Sequence, residues 1–211
     1  MTRVARVLAA VAVLVLVPLA APAHAAPDDP STHRRTTPTP TQGTVEGYAI
    51  PVTRRVTYSV TTRGRTTASL AVFKRQVQET YDDARGWRAG GVEFRRVRRG
   101  GDFTLVLSTA GAVPSFSSQC STQWSCRVGR FVIINQTRWQ HASPAWNAAG
   151  RSLRDYRQMV VNHETGHWLG RGHASCSGGG RAPVMMQQSK GTGGCSFNPW
   201  PLEWEAAAVR R

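Results

Sequence analysis

His163-Glu164-Thr165-Gly166-His167-Trp168-Leu169-Gly170-Arg171-Gly172-His173 is the stretch whose reading decides the fold. It fills every fixed position of H-E-x-x-H-x-x-G-x-x-H. Residues four apart on an α-helix are neighbours on one face, so His163 and His167 can offer ring nitrogens to one ion from successive turns. Glu164 points about 100° away from His163, beside such an ion rather than onto it. Gly170 can take a positive φ, end the helix and turn the chain sharply. That turn returns His173 as a third ligand. A continuing helix would carry His173 roughly 15 Å along the axis from His163, too far to share an ion bound at about 2.0–2.1 Å. Three neutral imidazoles leave one vertex of a tetrahedral ion open, the pattern of a catalytic zinc.

Upstream, Ser152 to Leu169 reads as the helix that carries these residues. Ser152 stands at its N-cap, with Asp155 where a capping box places an acid. Met159, Val160, His163 and His167 share one face. Leu70, Phe73, Val77 and Tyr81 recur at helical spacing and predict an earlier helix over Thr67 to Ala84, stopped by Gly86. Strands are expected at Val56–Val60, Val92–Val97, Phe103–Leu107 and Arg130–Asn135, with a weaker edge strand at Val113–Gln119. The Gly-, Ser- and Pro-rich residues after the motif read as irregular. This order argues a mixed α/β (α+β) domain, a mixed sheet packed by two helices.

Composition sets the surroundings. The chain has 211 residues, 40% hydrophobic and 18% charged, enough for one domain with a core. No repeat of solenoid or propeller period occurs. The formal charge of +15 is almost all arginine, since Lys74 and Lys190 are the lone lysines. These arginines are scattered, with no run of five like charges and no interleaved aromatic platform, so no specific nucleic-acid partner is expected. Residues 1–25 read as a secretory signal: Arg3 and Arg6, an apolar run from Val7 to Leu19, then Ala23-His24-Ala25. The apolar run is short for a bilayer span, so no stable membrane anchor is expected. Residues 26–47, rich in Pro and Thr, read as a flexible leader, and 48–211 as the domain. Export suits the four cysteines, Cys120, Cys126, Cys176 and Cys195. Of the three possible pairings, the local one is favoured, because Cys120–Cys126 and Cys176–Cys195 each close a short loop without regular structure. With no C-x-x-C pair, a thiolate metal site is not expected.

The motif resembles that of the metzincin metallopeptidases. In that family a methionine-containing turn lies beneath a zinc held by three histidines. Pro183-Val184-Met185-Met186 follows His173 at a suitable distance. The resemblance assigns the turn to Met185, which follows an aliphatic residue, or to Met186. The C-terminal part resembles the snapalysin peptidases, through His-Glu-Thr-Gly-His, the later cysteines and Asn198-Pro199-Trp200-Pro201. That likeness also supports joining Cys176 to Cys195. Snapalysin carries aspartate where this chain has His173. The domain as a whole is similar to a family of exported actinobacterial proteins with this signature. The resemblance implies a metzincin-like twisted mixed β-sheet, a backing helix, an active-site helix and an irregular C-terminal subdomain. It also implies an antiparallel edge strand that takes extended substrate, for which Val113–Gln119 is the candidate. A tyrosine two residues past the turn methionine is common in metzincins; positions 187 and 188 are glutamine here.

The expected function is that of a secreted zinc-dependent endopeptidase, with His163, His167 and His173 as ligands and Glu164 activating a zinc-bound water. Gly170 and Met185 support the site. The expected partner is a protein or peptide substrate, and the expected state a monomer. Two alternatives stand beside it: an exported basic cell-envelope binding protein with a non-catalytic zinc site, and a zinc amidase acting on cell-wall peptide.

Overall fold

The computed structural model describes residues 50–210. The signal over 1–25 and the leader over 26–47 lie outside the described residues. Five strands form one sheet in the order β2-β1-β3-β5-β4. They are β1 (Arg54–Arg63), β2 (Val92–Arg96), β3 (Phe103–Ser108), β4 (Cys126–Val128) and β5 (Phe131–Asn135). All neighbours are parallel except β4, which pairs antiparallel with β5. The sheet is therefore mixed, in an α/β chain of the α+β kind.

β1 is long because it serves two partners. Its first half, Arg54 to Tyr58, pairs with β2, and its second half, Tyr58 to Arg63, pairs with β3 on the opposite edge. The end of β2 and the start of β3 thus lie at one level, and a short loop suffices to pass from one to the other across β1. Asp102 holds that crossing, its carboxylate accepting from both the amide and the hydroxyl of Thr57.

Side chains alternate across the sheet, as a pleated strand requires. Val56, Tyr58, Val92, Phe94, Phe103, Leu105, Leu107, Val132 and Ile134 turn to the main core. Helices α1 (Leu70–Asp82) and α4 (Leu153–Trp168) supply Phe73, Val77, Tyr81, Tyr156, Met159, Val160 and Val161 to the same core. Val106 and Ile133 face the other way and pack with Val113 and Cys120. The helical spacing therefore identified the buried face of α1, though Leu70 at its start is only half-buried. Ser69 caps α1 and Ser152 caps α4, each accepting from an amide three residues on. Asp155 does not close a capping box; its carboxylate faces Arg151 at 3.7 Å.

Two further expectations fail. Val113–Gln119 is not a strand. A 3₁₀ turn runs from Ala110 to Ser115, with Pro114 inside it. Proline has no N–H to give to a sheet ladder. The edge position belongs instead to β4, and the Cys120–Cys126 disulfide ties this intervening segment to the start of β4. Secondly, α1 ends at Asp82 rather than Ala84, and Gly86 opens a 3₁₀ turn, Trp87–Gly90. Three short helices lay outside the sequence reading: α2 (Gln136–His141), α3 (Pro144–Ala148) and α5 (Glu203–Ala207). The C-terminal region is otherwise irregular, as its composition implies. Both disulfides join the local pairs, Cys120 with Cys126 and Cys176 with Cys195, and no described cysteine is free. Such pairs fit an oxidising compartment. Among the described residues no helix is long and apolar enough to cross a membrane.

Candidate metal centre

α4 is buried on every side from Gln158 to Gly166, where Thr165 pairs with the Tyr81 hydroxyl and the Asn162 side chain donates to the Pro199 carbonyl. The Met185 side of the helix is reached through Gly166, where a Cβ would meet the Met185 sulfur and, at 2.7 Å, Cζ2 of Trp87. Trp87 is fixed in turn by donating its indole N–H to the Asn162 carbonyl. The helix ends at Gly170, whose φ of +88° is the left-handed conformation that glycine adopts without steric cost. Gly170 N–H then reaches the His167 carbonyl and Arg171 N–H the Gly166 carbonyl, the paired bonds of a Schellman motif. This stop does two things. It swings His173 back to the last turn, and it presents the Arg171 carbonyl to the His167 ring.

Three imidazoles converge as a result. His163 is buried, His167 half-buried and His173 exposed, and one ligand atom from each lies within 4.8 Å of the others. His167 Nε2 stands 3.2 Å from His163 Nε2 and 3.1 Å from His173 Nε2. His163 Nδ1 donates to the Val184 carbonyl at 2.8 Å, and His167 Nδ1 to the Arg171 carbonyl at 2.9 Å. A carbonyl only accepts, so both protons sit on Nδ1 and both Nε2 atoms are bare in the neutral rings. The rings stay neutral because burial, then the neighbouring His167, pushes the His163 imidazole down to about 3. Burial lowers His167 as well. Two lone pairs therefore face one another with no proton between them, and a shared cation resolves that repulsion. Two ligands on a tetrahedral ion at about 2.0–2.1 Å stand about 3.3–3.4 Å apart, close to the separations seen. The three residues fit a metal ion. Carbonyl partners on the far ring nitrogens complete the usual support of such ligands.

Beneath the rings runs the turn Pro183 to Met186. The structure separates its two methionines: Met185 is buried against Gly166, and Met186 is only half-buried. The turn is pinned from three directions. Glu205 on α5, 1% exposed, accepts from the amides of Val184, Met185 and Leu202. Burial raises its carboxyl while those three amide donors hold it down. Gln188 donates to the carbonyls of Pro183 and Asn198 and accepts from the Asn198 amide. Ala174, one residue past His173, donates to the Met185 carbonyl. Glu205 carries no signal in the sequence, because a single buried acid leaves no period; Gln188 stands out there only as a glutamine where metzincins carry a tyrosine, and Asn198 only within a motif.

Glu164 lines the same cleft as the three histidines. It is 6% exposed, and no hydrogen-bond donor among the described residues reaches its carboxylate. Burial pushes its carboxyl up to about 8, against the charge of Arg127, which favours ionisation. A cation held beside it would draw that value back down. The cleft has a volume of about 350 Å³ and opens between β4 on one side and the Gln187 to Lys190 segment on the other. Arg127 and Lys190 stand on its two rims. Neither was singled out in the sequence.

The geometry therefore joins His163, His167, His173 and Glu164 in one cleft and places Gly170, Met185 and the Cys176–Cys195 bridge around it. Cys120–Cys126 lies at the β4 rim. Among curated proteins no relative matches the chain. A family profile described as "Protein of unknown function (DUF3152)" matches residues 31–194, more than three quarters of the length. By that match the chain belongs to the DUF3152 family.

Proposed function

We propose that this protein is an exported zinc-dependent endopeptidase of metzincin type. The observation that carries the reading is the convergence of three neutral imidazoles, one of them next in sequence to a buried carboxylate that opens into the same cleft. Neutral nitrogen ligands with a free vertex suit zinc. When bound, zinc supplies an electrophile that acidifies water and polarises an amide carbonyl.

The chain's own groups do the rest. Glu164 accepts the proton of the attacking water on a carboxylate oxygen as the C–O bond forms. It returns that proton to the amide nitrogen as the C–N bond breaks, so water is added and no covalent enzyme intermediate arises. Burial raises the proton affinity of this carboxyl and a zinc ion beside it would lower it again, so the two opposing effects bring it toward the range needed for both steps. Met185 supports the rings from below. The β4 edge, rather than Val113–Gln119, is where an extended substrate strand would add. In a hairpin closed by the Val128–Phe131 pair, Arg127 occupies the next, non-hydrogen-bonded position, so its backbone groups face the open edge. Two disulfides support an extracellular site of action.

The test is casein digestion by the mature protein with and without a chelator, beside Glu164→Gln. The expected result is chelator-sensitive cleavage that drops at least about a hundredfold in Glu164→Gln, with zinc content unchanged. Wild-type rates in that variant would remove Glu164 as the base. Cleavage of purified cell-wall stem peptides but not of casein would move the reading to the amidase.

A further inference from the structure

Apart from the histidines, the ionisable groups that line the cleft are Arg127, Lys190 and Glu164. Five described arginines, Arg55, Arg75, Arg85, Arg151 and Arg154, face an acid of the chain. Arg127 does not. Among the described residues its exposed side chain makes neither a salt bridge nor a hydrogen bond. It sits at the centre of β4, next to Cys126, whose disulfide to Cys120 staples the rim. Its charge acts on both Glu164 and His167. Across the cleft, Lys190 acts on His173 and donates only to the neutral Gln187 amide. The three histidines are thus flanked by uncompensated cations on both rims, and the lone acid between them is buried.

We propose that the cleft selects chains carrying a carboxylate close to the scissile amide, and that Arg127 is the specificity-determining residue. This selectivity deepens the hydrolytic reading above and rests on it for the bond that is cut. A guanidinium presents a planar fork that matches a carboxylate in two parallel bonds, which an ammonium cannot do. Because its backbone is fixed on a strand, binding a carboxylate costs the side chain's own rotamer freedom but no ordering of the chain. The same field speeds the approach of an acidic chain. Two sources share this chemistry: an aspartate or glutamate side chain, or the free carboxyl terminus of a peptide.

Zinc-loaded Glu164→Gln, which leaves substrate intact, allows binding to be read separately from cleavage. Fluorescent peptides with blocked termini would carry Asp or Glu around a central amide in one arm and Asn or Gln in the matched arm. A third arm would keep the neutral sequence and free its C-terminus. Fluorescence polarisation at low salt is expected to give roughly two- to fivefold tighter binding for one carboxylate arm over the neutral arm, as an exposed ion pair allows. The favoured arm identifies the source. Adding Arg127→Glu should erase or invert the preference, and Arg127→Gln should erase it. Arg99→Glu, at an exposed site in the loop between β2 and β3 that does not line the cleft, makes the same charge change and should change nothing. Equal affinity across the arms would overturn the proposal, as would Arg99→Glu acting as strongly as Arg127→Glu. If wild-type protein cleaves nothing while the binding preference stands, the hydrolytic reading alone fails. Cleavage and binding indifferent to charge would sink the selectivity alone.

Discussion

A methyl group added at Gly166 would enter space already filled by Met185 and by Trp87. Alanine favours a helix interior over glycine by about 1 kcal/mol. Here that gain is outweighed. Met185 can shift, but Trp87 is 1% exposed and tied to the Asn162 carbonyl. Gly166→Ala should therefore lower stability by about 1–3 kcal/mol, the usual cost of overpacking. Thermal unfolding would show it, and an unchanged or raised midpoint would refute the close packing. At the neighbouring ligand the effect is different in kind. His167 is central, since both other rings approach its Nε2. His167→Ala should abolish stoichiometric zinc binding and remove the stabilisation that added zinc gives the wild type. Metal analysis beside melting with and without zinc separates the two readouts; full metal content in the variant would contradict the ligand set.

α5 is only five residues long, yet it decides how the floor of the site is held. Glu205 satisfies three amides, and those of Val184 and Met185 would otherwise be buried without acceptors. Glutamine has the same shape but offers one acceptor oxygen and an amino group that would oppose an N–H. Glu205→Gln should cost about 2–4 kcal/mol, from losing charge-assisted bonds and leaving an amide unpaired. The second consequence runs through Val184, whose amide Glu205 holds and whose carbonyl orients His163. Zinc affinity should fall about 10- to 100-fold, as for other groups that orient ligands. Competition with a chromophoric chelator measures it. A variant that melts earlier but binds zinc as tightly would show that α5 supports the fold and not the metal.

For the molecule as a whole, the two disulfides are not equivalent. Cys176–Cys195 spans 19 residues and encloses the Pro183–Met186 turn, whereas Cys120–Cys126 spans 6 at the rim of the sheet. Loop-closure entropy assigns about 3 kcal/mol to the first and about 2 kcal/mol to the second. The difference in function should be larger than that difference in stability. Cys176→Ser with Cys195→Ser frees the segment beneath the rings and should weaken zinc binding as well as lower the melting point. Cys120→Ser with Cys126→Ser should lower the melting point and leave zinc affinity as it was. Equal losses of affinity in both double variants would mean that the bridges act only through global stability.

Helical neighbours three and four residues apart are a property of local geometry, so α1, α4, the pairing of His163 with His167 and the need for a turn at Gly170 could be read from residue order alone. The strands rich in β-branched or aromatic residues, alternating as in Val56–Val60 or continuous as in Arg130–Asn135, were legible because they too are local patterns. β4 was not. Three residues with an arginine at their centre form a strand because β5 offers a free edge and a disulfide brings them to it. α2 and α3 are too short to show a period, and they exist because Asn135 and Ser143 cap them and Trp139 and Trp146 find the core. Glu205, Gln188, Arg127 and Lys190 belong to no periodic pattern or spaced motif that would have marked them. Residue spacing thus determined which side chains could share an ion. Only the folded chain decided what holds them still and what charge surrounds them, because both depend on contacts between segments whose separation in sequence carries no period.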